Sequence, residues 1–323
     1  MKPFEHINAA TTHEAASLLR KYQGKARVIA GGTDLIGVLK DNIHAAYPEA
    51  VINIKTIPGL DGIKADAKGL KIGALAKLAD IGDSAVVKEK YAALSQAARS
   101  AALPQIRNMG TIGGNLCQEN RCLYYRYPHQ LGGRVVCLRK GGSTCYTVAG
   151  DNRYDSIFGA PKGCYAVSLS DLAPALIALG ATAVTTKKKV PLESFFTDLP
   201  GNVLAADEIL TEIDVPALGA NTKSAYLKFR QRKAIDFAIV SAACALTVEG
   251  GICKDARIVL GGVAPIPWRA TAAEEAIKGR KVDTASAEAA GKAAVAKADP
   301  RPMAKYKVPL AEVFVKRAIL ACV

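Results

Sequence analysis

The chain has 323 residues, of which 50% are hydrophobic and 22% are charged, so it is not a disordered polypeptide and has room for two or three domains. Its formal net charge of +14 would suit an acidic partner or an anionic ligand. The sequence contains no run of 18 apolar residues, which argues against a membrane span, and its first residues lack the apolar core of a secretory signal. A cytoplasmic location is therefore expected, where cysteines stay reduced.

The first predicted elements form a small βα lobe over about 1–55. In this lobe we expect a helix at 13–22, a strand at 27–30, a helix at 35–40 and a strand at 50–54.

A second lobe is predicted over about 56–217. Its expected elements are a strand at 69–73, one alanine-rich helix at 85–102, a helix within 171–179, a hairpin at 183–192 and a strand at 209–215. Residues 118–163 show little periodicity, and so long an irregular stretch in a compact domain requires another organiser, such as a metal.

A boundary is predicted at 217–222, followed by a separate α+β lobe over 222–323. The expected order is three strands and then two helices, at 225–229, 237–248, 256–260, 271–278 and 284–298.

The common nucleotide and hydrolase motifs are missing from the sequence. No two glycines are separated by a single residue, so the Rossmann fingerprint cannot occur. The P-loop, the H-E-x-x-H zinc motif and the G-x-S-x-G elbow are absent as well. Any reactive chemistry therefore points to a bound cofactor rather than to a side chain.

Two glycine turns remain as candidate binding motifs. The first, AGGTDL at 30–35, follows a predicted strand and precedes a predicted helix, and the second, TIGGN, lies at 111–115. Adjacent glycines expose backbone amides, and a following helix N-terminus adds partial positive charge, so a pair of such turns could clasp a diphosphate. The alternative is an ordinary tight turn in which Thr33 or Asp34 caps the helix.

Five of the eight cysteines lie within 48 residues, at Cys117, Cys122, Cys137, Cys145 and Cys164. Their spacing is neither the paired C-x-x-C of structural zinc nor a ferredoxin run. The spacing alone is compatible with three interpretations: an iron–sulfur cluster, a zinc ion or ordinary thiols.

The two turns, together with SDLAPAL at 170–176, EILTEI at 208–213 and YLKFR at 226–230, resemble the FAD-binding medium subunit of the molybdenum hydroxylases. That family includes xanthine dehydrogenase and carbon monoxide dehydrogenase, and the resemblance covers nearly the whole chain in order. It implies an α+β fold: a two-lobed FAD-binding domain of the vanillyl-alcohol-oxidase type over 1–217, then a CO-dehydrogenase-flavoprotein-like C-terminal domain over 222–323.

The resemblance also implies contacts with FAD. The residues implied to hold its diphosphate are Val28, Ile29, Ala30, Gly31, Gly32, Thr33, Asp34 and Leu35, with Thr111, Gly113, Gly114 and Asn115 opposite. Asp171 is implied to bind the ribityl or ribose region, and Leu210 and Lys228 to lie near the isoalloxazine ring. A cation beside the N1–C2=O edge of that ring would stabilise the anionic reduced flavin.

Residues 118–163 interrupt the family pattern. The arrangement resembles a subgroup, including 4-hydroxybenzoyl-CoA reductase and a periplasmic aldehyde oxidoreductase, in which such an insertion carries a [4Fe–4S] cluster. Cys122, Cys137 and Cys145 lie inside the insertion and Cys164 closes it, so these four are the predicted ligands. Cys117, which directly follows the second glycine turn, is the alternative to Cys164. Seven basic residues against three acidic ones in the insertion would offset the negative charge of the cluster.

The resemblance implies a function as the electron-transfer flavin subunit of a heterotrimeric molybdenum enzyme. Its implied partners are a molybdopterin-binding large subunit, a small subunit with [2Fe–2S] clusters, and an external carrier such as a ferredoxin, NAD or a quinone. No catalytic side chain and no nucleic-acid partner are expected. The favoured substrate of the complex is an aromatic acyl-CoA such as 4-hydroxybenzoyl-CoA, with an aldehyde or a purine or other N-heterocycle as alternatives. A hypothesis from a different class is a non-redox, zinc-stabilised basic binding module.

Overall fold

Three β-sheets, each covered by helices, organise the protein. The computed structural model describes residues 1–44, 46–133, 135–199 and 201–323. Their sheets have the strand orders β1-β3-β2, β4-β5-β8-β6-β7 and β12-β11-β10-β9. Each sheet has a hydrophobic core of its own, which gives the mixed α and β architecture expected from the sequence.

The first lobe is a three-stranded parallel sheet with two helices. Its elements are β1 (Glu5–Asn8), α1 (Thr12–Lys21), β2 (Ala26–Ile29), α2 (Leu35–Lys40) and β3 (Ala50–Asn53). Helix α1 begins where the Thr11 hydroxyl accepts a hydrogen bond from the Glu14 amide at 3.1 Å. Strand β3 is central and buried along its length, which explains its apolar residues up to Ile52, and its last residue, Asn53, donates a side-chain hydrogen bond to Asn8. The first glycine turn therefore joins a parallel strand to a helix, a common position for a ligand-binding loop.

The second lobe is a five-stranded antiparallel sheet with six helices around it. Its elements are β4 (Ile63–Asp66), β5 (Gly69–Gly73), α3 (Leu78–Asp83), α4 (Ala85–Lys90), α5 (Ala92–Ser100), α6 (Pro104–Arg107), α7 (Ile112–Cys117), α8 (Leu172–Ala178), β6 (Thr182–Thr185), β7 (Lys189–Pro191) and β8 (Leu210–Pro216). The prediction of one helix over 85–102 is wrong, because Tyr91 leaves the helical conformation at φ −132° and ψ 53°. Its buried ring packs into the core and its hydroxyl donates to the Pro216 carbonyl at 3.3 Å, so packing at this position overrides helix propensity.

The insertion lacks long elements, as its sequence predicts. Its described residues form only three short 3₁₀ turns, at His129–Leu131, Leu138–Lys140 and Tyr146–Val148. Hydrogen bonds to residues 301–307 attach the insertion to the C-terminal lobe. They run from Arg301 to the Val148 carbonyl (2.6 Å), from the Met303 amide to Asn152 Oδ1 (2.9 Å), from Tyr306 to the Arg153 carbonyl (3.0 Å) and from Lys307 to the Asp155 carbonyl (2.7 Å).

The third lobe is an antiparallel sheet covered by three helices. Its elements are β9 (Thr222–Phe229), β10 (Val240–Glu249), β11 (Ile252–Gly261), β12 (Trp268–Arg269), α9 (Thr271–Ile277), α10 (Thr284–Ala294) and α11 (Lys307–Leu320). The predicted order of three strands and two helices is incomplete, since it lacks β12 and α11, and the helix expected over 284–298 ends at Ala294. Helix α11 packs against β9 and β10 and completes the core of this lobe. Among the described residues, no helix has both the length and the apolar character needed to cross a membrane.

Candidate functional site

The two glycine turns line a single cleft of about 250 Å³ between the first two lobes. The first turn joins β2 to α2, whereas the predicted second turn is the start of α7, with Thr111 as the N-cap and 112–115 already helical. The predicted residues on the wall of this cleft are Val28, Ala30, Gly31, Gly32, Thr33, Asp34, Leu35, Thr111, Gly113, Gly114 and Leu210. Turns that lie 80 residues apart in the chain thus meet at one site.

Glycine is required where the first turn approaches the backbone of Met109 and Gly110, just before the second motif. A Cβ atom on Gly31 would lie 2.0 Å from the Met109 carbonyl oxygen, which no side chain could accommodate. Gly32 has φ +73°, in the left-handed region that favours glycine. The amides of the second motif are used within the protein, since Ile112 donates to the Ala76 carbonyl, Gly113 to the Ala74 carbonyl and Gly114 to the Thr111 hydroxyl.

The polar side chains of the turns have different roles. Thr111 caps α7, since its hydroxyl accepts a hydrogen bond from the Gly114 amide at 3.1 Å. Asp34 stands at the start of α2 but makes no capping hydrogen bond. Its two carboxylate oxygens instead pair with Arg121 at 2.6 Å and with Arg126 at 3.0 Å. The two guanidinium groups offset a negative charge that would otherwise repel an anionic ligand in the cleft.

Two further predicted residues, Asp171 and Lys228, are absent from the cleft wall and bind each other. The Lys228 ammonium lies 2.8 Å from the Asp171 carboxylate, and their side chains are only 2% and 5% exposed. Tyr226 donates a hydrogen bond to the other carboxylate oxygen at 2.7 Å. Burial and the nearby Asp171 charge raise the pKa of Tyr226 well above its ordinary value, so its hydroxyl keeps its proton.

The last two predicted residues, Ile29 and Asn115, also lie beside the cleft rather than on its wall. Ile29 pairs with Asn53 in the parallel sheet. The Asn115 side-chain oxygen accepts hydrogen bonds from the Ser170 hydroxyl at 2.6 Å and from the Leu172 amide at 3.4 Å. Asn115 thereby links the second glycine turn to the segment that carries Asp171.

Sequence reasoning missed several residues of the cleft, among them Arg27, Ile54, Cys117 and Glu208. Burial raises the pKa of the Cys117 thiol to about 12, so it stays protonated. Glu208 lies just before β8, outside the strand, so strand alternation gave no signal for it.

The four predicted cluster ligands line one small cavity in the insertion. Cys122, Cys137, Cys145 and Cys164 surround about 10 Å³ of space, and Cys117 is not on its wall. The Arg139 Nε–H donates a hydrogen bond to the Cys164 sulfur at 3.4 Å. Cys117 lines the glycine cleft, whereas Cys164 lines the small cavity together with the other three cysteines.

The sulfur atoms are not drawn together into a metal-binding geometry. Over 1–44, 46–133, 135–199 and 201–323, no group of three or more histidine, cysteine, aspartate or glutamate side chains is placed to hold a metal ion. The chemistry of the donors nevertheless fits an iron–sulfur cluster, which takes four thiolates. A neighbouring buried guanidinium also suits a negatively charged cluster.

Comparison with known proteins gives the class of the chain. A sequence profile described as "FAD binding domain in molybdopterin dehydrogenase" matches residues 2–218. A profile described as "CO dehydrogenase flavoprotein C-terminal domain" matches residues 225–322. A lobed flavin-binding fold with two glycine turns on one cleft is thus followed by a flavoprotein C-terminal domain. The chain belongs to the family of FAD-binding medium subunits of molybdenum-dependent dehydrogenases, and it is a component of an oxidoreductase.

Individual relatives agree with this assignment. The chain is 34% identical over 287 residues to the aldehyde oxidoreductase FAD-binding subunit PaoB of Escherichia coli K12, with 85% of this chain and 86% of that protein covered. It is 30% identical to the nicotinate dehydrogenase FAD-subunit of Eubacterium barkeri, with 90% and 84% covered. A structure of carbon monoxide dehydrogenase from Hydrogenophaga pseudoflava matches with a TM-score of 0.78 and 29% identity, covering 100% of this chain and 98% of that chain. The family and the fold predicted from the sequence are confirmed.

Proposed function

We propose that the chain binds FAD with its diphosphate between the two glycine turns and relays electrons within a three-subunit molybdenum enzyme. The observation that carries the proposal is the single cleft that both glycine motifs line, where Gly31 lies so close to the backbone of Met109 that no Cβ would fit. The first glycine turn and the N-terminus of α2 would favour the negative diphosphate. The bound flavin supplies one- and two-electron redox chemistry, and no side chain of this chain need act as an acid or base.

The flavin end of the site is proposed to lie near the buried pair of Asp171 and Lys228. Asn115, at the end of the second glycine motif, accepts a hydrogen bond from Ser170, the residue before Asp171. This contact connects the motif to the Asp171–Lys228 pair. In this arrangement Asp171 orients Lys228, and the ammonium provides positive charge beside the reduced ring. Leu210, on the cleft wall, is proposed to pack against the cofactor.

A [4Fe–4S] cluster is proposed as the second cofactor, held by Cys122, Cys137, Cys145 and Cys164. Support comes from their common cavity and from the Arg139 hydrogen bond to Cys164. Cys117 is the less favoured ligand because it faces the glycine cleft. Four ligands spread over the insertion would give structure to a segment that has few elements of its own.

The proposed partners are a molybdopterin-binding large subunit and an iron–sulfur small subunit. Relatives named as medium chains or as FAD subunits support a multi-subunit complex. For the substrate of the complex, the similarity to PaoB favours an aldehyde. The aromatic acyl-CoA expected from the sequence has no counterpart in the names of the relatives described above.

Anaerobic purification followed by cofactor analysis tests the proposal. We expect about one FAD and four iron atoms per chain, a flavin absorption band with a broad iron–sulfur shoulder, and an EPR signal after reduction. Iron and the EPR signal should be lost in Cys164→Ser and kept in Cys117→Ser, with FAD retained in both.

Other outcomes would overturn parts of the proposal. The reverse cysteine pattern would make Cys117 the ligand in place of Cys164. Iron-free protein that also fails to take up a cluster on reconstitution would exclude the cluster but leave the FAD assignment intact. Stoichiometric zinc with no flavin would favour the basic binding module instead.

A further inference from the structure

A second, larger cavity lies between the insertion and the connection from β9 to β10. It has a volume of about 740 Å³, within the range of small-molecule sites. Its walls are mainly apolar, and the side chains that matter most here are Leu123, Tyr127, Leu131, Phe237 and Ile239. Leu131, Leu123 and Phe237 are 69%, 50% and 40% exposed, an unusual density of large apolar groups for a surface without a ligand.

The charged groups on the cavity wall are mostly paired with the protein. Arg121 and Arg126 bind Asp34, and Arg232 binds Asp236. The Arg121 Nε–H is buried without a hydrogen-bond acceptor among the described residues, but it has no surface open to the cavity. The Arg121 guanidinium lies over the Phe237 ring, 4.4 Å from its centre. This wall therefore offers a flat surface for stacking.

The cavity adjoins both proposed cofactor sites. Asp34 lies on the wall of the glycine cleft, and its partner Arg121 lies on the wall of this cavity. Cys122 and Tyr124 line both this cavity and the small cavity of the cysteines. A redox-active molecule bound here would therefore be separated from either cofactor site by a single layer of side chains.

From this geometry we propose that the cavity binds the ring of a quinone-type electron carrier. This inference rests on the proposed electron-transfer function. A quinone ring is flat and apolar, which matches the apolar walls of the cavity and the planar stack of Arg121 on Phe237. The described lining residues include no glycine, so a dinucleotide would find no backbone cradle for its diphosphate. Two electrons from the complex and two protons from solvent convert the bound ring to a hydroquinone.

Calorimetric titration of the FAD-loaded chain with duroquinone tests this proposal. The four methyl groups of this probe block addition of cysteine thiols to the ring. We expect saturable binding at one site. Leu131→Asp, which places a charge at the apolar rim, and Phe237→Ala, which removes the stacking ring, should each weaken binding about tenfold, a change of about 1.4 kcal/mol. The matched control is Val148→Asp, an equally drastic change at a 46% exposed position of the insertion outside the cavity.

Each alternative result has a defined meaning. No saturable binding, or an equal loss in Val148→Asp, would overturn the proposal. Binding that appears only after FAD is stripped would assign the cavity to the flavin ring of the protein itself and also overturn it. FAD content is measured before each titration, so a chain that holds no flavin would reveal failure of the proposed function separately from failure of the quinone site.

Discussion

Replacing Lys228 by methionine would leave the Asp171 carboxylate as an unpaired charge in the protein interior. The two side chains are 2% and 5% exposed, and the ion pair is 2.8 Å long, so water cannot take the place of the ammonium without rearrangement. Breaking a buried pair from one side costs about 3–5 kcal/mol. Tyr226 still donates to Asp171, which places the expected loss toward the lower end of that range.

A double variant separates the effect of the unpaired charge on stability from the effect of the lost side-chain contacts. Asp171→Asn combined with Lys228→Met removes both charges and keeps an acceptor for Tyr226, so it should lose only about 1–2 kcal/mol. Lys189→Met is the control, because its ion pair with Asp214 is exposed and should contribute less than about 1 kcal/mol.

The assay is urea unfolding of each variant followed by circular dichroism, with FAD content measured in parallel. If the single variant is less stable than the double variant, the buried charge accounts for the difference. Equal stability of the two, or a loss below about 1 kcal/mol in Lys228→Met, would refute the reasoning. FAD loss in the double variant despite recovered stability would support a direct role of the pair in cofactor binding.

Three further variants test other features. Gly31→Ala should reduce FAD content at least about tenfold, because its Cβ would lie 2.0 Å from a backbone carbonyl oxygen. The control is Gly37→Ala, which lies in open space on α2 and should retain FAD. Equal FAD content in the two variants would contradict this prediction. Burial lowers the pKa of Lys307 to about 7, so between about pH 7 and 10.5 the unfolded chain binds more protons and stability should rise with pH. Lys307→Met should remove about 1.4 kcal/mol per pH unit from that slope in urea unfolding, and an unchanged slope would show that folding does not lower the pKa of Lys307. In the cluster-loaded chain, Arg139→Gln should lower the reduction potential measured by EPR titration, because the hydrogen bond to Cys164 stabilises the more negative reduced state; an unchanged potential would argue against that contact.

Local features of the fold could be predicted from the sequence. The first glycine turn follows directly from residue types whose backbone preferences are strong and appears at the expected position, whereas 112–115 form the start of α7 instead of a turn. Alternating and helical apolar patterns similarly located most strands and helices. The irregular character of the insertion followed from its lack of periodicity.

Features that depend on distant partners could not be predicted in the same way. The pairing of Asp171 with Lys228 joins residues 57 positions apart, and each alone resembles an ordinary polar residue of its element. The break at Tyr91 comes from packing of its ring, not from a helix-breaking residue. Helix α11 was missed because it contains Pro309 and its buried residues are spread among apolar neighbours, so no clear stripe marks it.

The contacts of residues 301–307 with the insertion imply that the two segments change together in evolution. Lys307 is 1% exposed, and two of the three carbonyl groups that accept hydrogen bonds from its amino group, those of Tyr154 and Asp155, belong to the insertion. A chain that lost residues 118–163 would leave this buried amino group with only the Gly262 carbonyl of these three acceptors. Gain or loss of the insertion therefore requires a matching replacement at position 307. Family members without the segment should carry an uncharged residue there, so this one position, some 150 residues downstream, would serve as a marker of the segment's presence.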